Sequence, residues 1–530
     1  MVNKFIHVCL ILLTVFLFMI MLSSLRWQIQ HDSPIMLYIA WLIHDHDYVP
    51  YKDIFDFNLP GSYMAYILIG IVSGYTDTGC RLVDILILVA IFYLTWLWLK
   101  NLGTAVAWCG CVLWGLIYLG FGSAMSLQRE YLIIPIILLV LNVAAHCRRL
   151  KPAIKYALIG FLWGICATIK PQSIIAFPLV MLYIWREIRA ENTGAEGMPG
   201  KTTMISMILP AVAGFFVPVC LMVLYLWIRG ALGAFWDMAI HYWPLYNNLT
   251  RNHETISGLS HVKYLIKEYR SLRGYGLWLA PAGLGTYIAL FDSPLSGSQK
   301  RQVILLAGLS VCYSIYPVLT NKFWYYHWLF YLFFISQLSS VCLIKALPES
   351  KPGRRWFPVL FLFMSLFFIE GALSGPLVYL ANPSRYLGEL MGTKKSQPPK
   401  VARVEQIAAF LKENLEPGDK VQPLDWAGGA LHAMLITRVE PATPFIYDFY
   451  FYHHISHPYI QNLRRKFILR LQESRPRFII QIVDQGKPWV SGKDTTREFR
   501  ELKAFMENSY TVVNKGSGYL IYELKQSSAR

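Results

Sequence analysis

The stretch KFIHVCLILLTVFLFMIMLSSLRWQIQHDSP (residues 4–34) decides the fold, because a long apolar run is followed at once by polar residues. No Asp, Glu, Lys or Arg occurs between Lys4 and Arg26, and a helix over residues 5–24 would be about 30 Å long. Such a helix crosses a bilayer with every backbone polar group bonded internally. No small-residue cleavage site follows the run, which favours an uncleaved anchor with a cytoplasmic N-terminus.

Similar apolar runs recur along the chain, in which hydrophobic residues make up 55% of 530 positions. Together with the first run, they predict a polytopic α-helical membrane protein of about eleven transmembrane helices. The further predicted spans lie at 83–100, 103–121, 131–147, 155–169, 173–186, 204–229, 274–291, 303–319, 328–346 and 356–373.

The formal net charge of +17 is explained by membrane topology rather than by nucleic-acid binding. Lys and Arg concentrate in every second connection, at 148–155, 186–201, 300–301 and 351–355, as the positive-inside rule requires for cytoplasmic loops. This pattern agrees with an odd number of spans, which places the C-terminus outside. The sequence therefore predicts no nucleic-acid partner.

Two predicted spans, 155–169 and 173–186, are short and are separated by Lys170-Pro171-Gln172. Proline removes a helical hydrogen bond and disfavours helix at the residue before it, so the helix should end at Lys170. The pattern is compatible with two short tilted helices or with one kinked span. The basic loops favour the first arrangement.

The composition changes to that of a soluble domain from about residue 401. Helical patterns at 401–415, 458–474 and 498–509 alternate with strand patterns at 420–425, 477–483 and 519–524. This alternation predicts a small α/β domain outside the membrane. The predicted domains are a transmembrane module (1–373, with a first outer loop at 25–82), a linker (374–400) and an extracytoplasmic α/β domain (401–530).

Carboxylates concentrate in the first outer loop, at Asp32, Asp45, Asp47, Asp53 and Asp56. Asp32 follows the first span directly, so it should lie at the membrane surface, where a lipid-borne substrate presents its head group. It also precedes a proline by two residues, a position typical of a helix start, and a capping role is the alternative.

Further segments complete an ordered series. The first loop contains PYKDIFDFNLPG (50–61), Arg81-Leu82 opens the second span, and Gln128-Arg129-Glu130 precedes the fourth. ATIKPQSIIAFP (167–178) and NKFWYYHWLFYL (321–332) follow, and the tail carries VEQIAAFLKENLEPGDKV (404–421) and SRPRFIIQIVD (474–484).

This order resembles the GT-C superfamily of membrane glycosyltransferases over nearly the whole chain. The resemblance is strongest to bacterial relatives of protein O-mannosyltransferases and of the lipid A aminoarabinose transferase. Many relatives carry Asp-Glu in the first loop, whereas Ser33 follows Asp32 here.

The resemblance implies a multi-pass enzyme of the bacterial inner membrane. It would transfer a sugar, with inversion, from a polyprenyl-phosphate-linked donor to a lipid, polysaccharide or protein acceptor outside the membrane. One carboxylate must then take the proton of the acceptor hydroxyl. Asp32 is the candidate general base, and Asp53 is the second candidate unless it closes its loop.

Cations must stabilise the departing lipid phosphate. The candidate donor-phosphate-binding residues are Lys170, Lys322, Arg81, Arg129 and His327, and Glu130 is a further candidate site residue. A charge within a span is costly, which draws attention to Lys170, although a lysine there can also extend to the head groups. His327 follows an aromatic belt that can anchor the helix at the membrane interface.

Two histidine runs, at 44–47 and 453–457, contain groups that can bind a divalent metal. Neither run has a dedicated ligand spacing, so we assign no metal site, and a divalent metal stays the alternative cofactor.

Other functions fit parts of the pattern. A transporter or flippase would use the broken helix at Lys170 as a binding site, but no inverted repeat relates the two halves of the chain. A ligase of lipid-linked glycans also works outside the membrane, but the acid-rich first loop disfavours it.

Overall fold

The computed structural model describes residues 2–147, 150–192, 201–344, 400–426, 428–483 and 487–525, with the single positions Ser384 and Gly388. The chain forms two compact units. The first comprises Met1–Arg26, Asp84–Met222 and Val262–Thr393. The second comprises Trp27–Val83, Val223–His261 and Lys394–Arg530.

Helices dominate the chain as far as residue 344. In chain order they are α1 (Val2–Ser23), α2 (Asp32–Asp45), α3 (Pro60–Ser73), α4 (Asp77–Leu99), α5 (Thr104–Gly120), α6 (Arg129–His146), α7 (Pro152–Ile169), α8 (Phe177–Asn192), α9 (Lys201–Ile228), α10 (Leu232–Asn247), α11 (Leu259–Ser271), α12 (Leu279–Phe291), α13 (Gly297–Thr320) and α14 (Leu329–Ser340).

Among the described residues, seven helices are long and apolar enough to cross a membrane. They are Lys4–Arg26, Asp77–Leu102, Arg129–His146, Pro152–Ile169, Met204–Ile228, Gly297–Thr320 and Tyr325–Leu343. Each of the first ten predicted spans overlaps a helix of the described residues, and the predicted span 356–373 lies outside them. The membrane fold is thus confirmed, and the total of about eleven spans stays a prediction.

Small residues let α7 and α9 pack closely. A Cβ atom on Gly160 would lie 1.8 Å from the carbonyl oxygen of Ala211, so only glycine allows this approach. Close backbone contact through small residues is the usual way in which membrane helices associate, because lipid provides no hydrophobic driving force between them.

The C-terminal part of the second unit is built on a five-stranded sheet. Its helices are α15 (Lys400–Asn414), α16 (Gly429–Thr437), α17 (Pro458–Ser474) and α18 (Arg500–Ser509). Two strands, β1 (Glu254–Thr255) and β5 (Ser491–Gly492), pair separately from this sheet. The sheet strands are β2 (Lys420–Leu424), β3 (Glu440–Pro441), β4 (Phe478–Ile482), β6 (Tyr510–Gly516) and β7 (Tyr519–Leu524).

The order of the sheet is β3-β2-β4-β7-β6. The first three strands are parallel, with Val421 opposite Phe478, and β7 joins β4 in antiparallel register, with Ile521 opposite Ile480. The predicted α/β architecture is confirmed. The sequence prediction missed α16, because its run GALHAMLIT is almost wholly apolar and has no helical periodicity, and it also missed β3 and β6.

The first loop folds with this C-terminal sheet region in the second unit. The Tyr38 hydroxyl donates to the carbonyl of Val439 at 2.8 Å, and the backbone NH of Phe55 donates to the carbonyl of Pro444 at 2.8 Å. Every residue of α2 from Ser33 to Ile43 is buried. Helix α16 of the C-terminal region packs against α2.

Candidate active site

The predicted site residues fall into both units. The first unit contains Arg129, Glu130, Lys170, Lys322 and His327, and the second contains Asp32, Asp53 and Arg81.

Glu130 is the centre of a polar cluster in the first unit, in the first turn of α6. Its side chain is fully buried, and the Tyr316 hydroxyl donates to Oε1 at 2.9 Å. Lys170 Nζ and His327 Nε2 each lie 3.7 Å from the same oxygen. The structure therefore brings two of the predicted phosphate-binding side chains together around the predicted acid.

The break that the sequence predicts at Lys170 is confirmed. Helix α7 ends at Ile169, Lys170 has an extended backbone (φ −145°, ψ 99°), and a 3-10 helix, Pro171–Ala176, follows. The backbone NH of Ser173 bonds the Lys170 carbonyl at 3.0 Å. The chain thus changes direction at the residue whose ammonium group approaches Glu130.

Lys322 and His327 lie in the connection between α13 and α14. Asn321 ends α13 in the left-handed conformation (φ 56°), which turns the chain. The His327 ring is oriented by Thr320, whose Oγ1 is 3.0 Å from Nδ1. Lys322 is only 2% exposed, and burial lowers the pKa of its ammonium group to about 7. It can therefore change charge near neutral pH.

Arg129 opens α6 and is also buried. The first turn of a helix carries partial positive charge, so Arg129 adds to a positive local potential. In the same turn, Tyr131 stacks on Tyr118 with 4.0 Å between ring centres, and the Tyr118 hydroxyl donates to Asp84 at 2.5 Å. Sequence reasoning missed Asp84, although an acid inside the predicted span 83–100 was a signal that could have identified it.

Asp32 begins α2 in the second unit. Its Oδ1 lies 2.9 Å from Nδ1 of His31, and its side chain is 24% exposed. His31 has an unusual backbone (φ 63°, ψ −124°), a strained conformation of the kind often found at functional sites. Gly428 packs against this turn with φ +86°, and a Cβ there would lie 2.9 Å from the His31 carbonyl oxygen. Asp32 therefore stands at a tightly held turn and remains partly accessible.

Asp53 and Asp56 hold the first loop together. Asp53 Oδ2 accepts the backbone NH of Val49 at 2.9 Å and closes a tight turn. Asp56 is buried and accepts from the Tyr63 hydroxyl at 2.6 Å and from Asn58 Nδ2 at 2.9 Å. These contacts give both acids a structural role.

Arg81 lies near the start of α4, where its guanidinium group stacks 4.7 Å from the ring centre of Trp27. Nearby, Asp77 Oδ1 accepts the backbone NH of Ile29 at 3.1 Å and lies 3.0 Å from His432 Nε2. The segment that follows the first span is thus tied to the start of α4.

The two histidine runs make separate contacts. His44 pairs with Asp45 at 2.5 Å, and His46 lies 3.3 Å from Glu440. His453 and His454 meet through their Nδ1 atoms at 2.9 Å. Within the part of the chain that the structure describes, no three His, Cys, Asp or Glu side chains are grouped to hold a metal ion.

Comparisons with known proteins identify the fold. No protein-family model and no curated protein matches the sequence. The crystal structure of ArnT from Cupriavidus metallidurans bound to undecaprenyl phosphate is similar to this chain, with a TM-score of 0.56, 12% identity and coverage of 98% of each chain. The apo state of that protein gives a TM-score of 0.57, 12% identity and 97% coverage of each chain. The likeness confirms the fold that the sequence predicts.

Proposed function

We propose that this chain, which has a GT-C fold, transfers a sugar from a polyprenyl-phosphate-linked donor to an acceptor on the outer side of the bacterial inner membrane. The observation that carries the proposal is the convergence of Lys170 and His327 on buried Glu130, with Lys322 and Arg129 in the same segments. Cationic side chains gathered at one end of a helical bundle suit the phosphate of a lipid carrier. The solved ArnT structure with this fold holds undecaprenyl phosphate.

The reaction needs charge stabilisation at the leaving group. The acceptor oxygen attacks the anomeric carbon, the bond from that carbon to the phosphate oxygen breaks, and the phosphate leaves with the electron pair. Lys170, Lys322 and Arg129 would neutralise the developing negative charge, which is usually the largest catalytic contribution of such a site. Glu130 and Tyr316 would fix the direction of Lys170 and His327.

The acceptor hydroxyl must lose a proton as the new bond forms. Asp32 is our candidate general base, because it is a partly exposed carboxylate in a turn that His31 and Gly428 hold. Attack from the face opposite the leaving phosphate inverts the anomeric centre. Asp53 is less suited to this role, since its Oδ2 already accepts the NH of Val49.

The test uses the full chain in lipid nanodiscs with total membrane lipids as donor source, and mass spectrometry follows the release of polyprenyl phosphate. Asp32→Asn should slow the release by about 10²–10⁴, because the amide cannot accept the proton. Asp53→Asn is the matched control and should retain activity, since an amide oxygen can still accept the bond from Val49.

Equal rates for wild type and Asp32→Asn, with intact folding, would exclude Asp32 as the base. If Asp53→Asn is inactive and Asp32→Asn is active, Asp53 is the general base. If wild type releases no polyprenyl phosphate from the native lipids, the transferase proposal itself fails.

A further inference from the structure

A second cluster of functional groups lies in the C-terminal sheet region, beyond the carboxyl ends of two neighbouring parallel strands. Asp425 and Trp426 follow β2, and Lys487 and Trp489 come after β4. In α/β sheets, ligands bind preferentially at this edge, because adjacent strands deliver their loops to one place. None of these residues belongs to the machinery proposed above.

A buried ion pair forms the base of this cluster. Lys487 Nζ lies 2.9 Å from Asp448 Oδ2 and also donates to the carbonyl of Leu424, the last residue of β2, at 2.9 Å. The two charged side chains are 7% and 4% exposed. Asp448 Oδ1 is buried and has no hydrogen-bond partner among the described residues, which is unusual for a carboxylate oxygen. Burial raises the pKa of Asp448, and the charge of Lys487 offsets part of that rise.

A row of three rings lies beside the ion pair. The ring centres of Trp426 and Trp489 are 5.2 Å apart with 34° between their planes, and His253 continues the row on Trp426 at 5.3 Å and 35°. Phe449, next to Asp448 in the chain, supports Trp426 edge-on at 4.8 Å. Trp426 and Trp489 both keep part of their surface exposed.

We propose that the exposed parts of Trp426 and Trp489, in loops that the Lys487–Asp448 pair ties together, form a carbohydrate-binding subsite that holds a saccharide portion of the acceptor. The apolar CH face of a pyranose matches an indole face in size, and the few polar groups of such a site fix the orientation of the ligand. The buried Lys487–Asp448 pair holds the loop after β4 against the end of β2 and so positions Trp489. The partly exposed groups of the cluster are aromatic, so a neutral glycan fits better than a phosphate. The assignment of the ligand as acceptor rests on the proposed function.

The competing explanation is purely structural. The rings lie near the β1–β5 pairing, which joins Glu254 to Ser491, and they could simply close that junction. A leucine at position 489 fills much of the same volume without an aromatic face. Trp489→Leu therefore separates ligand stacking from packing, and Trp426→Leu repeats the test on the second ring.

The experiment measures binding of maltotetraose and chitotetraose to the full chain in nanodiscs by saturation-transfer NMR and calorimetry. At least one tetrasaccharide should bind wild type, and each Leu variant should weaken its Kd at least tenfold while keeping the wild-type melting temperature. Trp236→Ala, an exposed tryptophan of the same unit, is the control and should bind normally.

No binding of either tetrasaccharide to wild type, or an unchanged Kd in both Leu variants, would overturn the inference. Binding of an unglycosylated peptide instead, lost in the same variants, would overturn the assignment to carbohydrate. The proposed function is scored separately by release of polyprenyl phosphate. If wild type releases polyprenyl phosphate and both Leu variants bind the tetrasaccharide normally, the subsite is refuted and the proposed function stands.

Discussion

Raising the pH above neutrality should weaken lipid-phosphate binding, because it removes the proton from buried Lys322. Burial lowers the pKa of this ammonium group to about 7. If only the charged form binds, the apparent Kd is the intrinsic value divided by the protonated fraction, so affinity falls about tenfold per pH unit well above pH 7. A bound phosphate raises the pKa again, and the loss levels off above that new value.

The assay is binding of undecaprenyl phosphate to the full chain in nanodiscs. A phosphate monoester has its second pKa near 6, so above about pH 7 the ligand charge is constant and any loss belongs to the protein. Lys322→Arg should remove the pH dependence, because a guanidinium group stays protonated beyond about pH 12. Lys322→Met should bind weakly at every pH, with no slope.

The stability of the ligand-free protein should increase with pH over the range in which the affinity for lipid phosphate decreases. The pKa of Lys322 lies near 7 in the folded chain and near its ordinary value of about 10.4 in the unfolded chain. Between these two pKa values the unfolded chain binds more protons than the folded chain. The free energy of unfolding therefore increases steadily from about pH 7 towards about pH 10. A wild-type Kd that is flat across this range, or an equal slope in Lys322→Arg, would refute the assignment.

Three further results are expected. Lys170→Met should weaken undecaprenyl phosphate binding about 10- to 100-fold, the loss of one charge-assisted contact, and an unchanged Kd in a folded variant would exclude that contact. Glu130→Gln should lower the free energy of unfolding by about 3 kcal/mol, because it leaves the mostly buried ammonium group of Lys170 without its acid. Glu187→Gln, which breaks a more exposed pair with Arg301, should cost about 1 kcal/mol, and equal costs would contradict the central role of Glu130. Reporter fusions at about residue 400 should behave as extracytoplasmic, and cytoplasmic behaviour would invert the predicted topology.

Much of the candidate site could be chosen from sequence, but its geometry could not. Lys170 was recognisable as a cation at a proline break, and His327 as a histidine in an aromatic belt. No local sequence pattern shows that both side chains reach Glu130. Glu130 itself has the pattern of an ordinary acid near a helix start. Tyr316 gave no signal at all, because a tyrosine in an apolar span is common.

The sequence by itself determined the membrane architecture, the break at Lys170 and the α/β character of the tail. These features depend on periodicity and on backbone chemistry within about twenty residues, such as the apolar length needed to cross a bilayer and the missing NH of Pro171. Only the tertiary structure decided that α2 is buried on all sides, that Lys170 and His327 meet at Glu130, and that Trp426 pairs with Trp489. Proximity between distant segments results from packing across the whole unit, which no local pattern specifies.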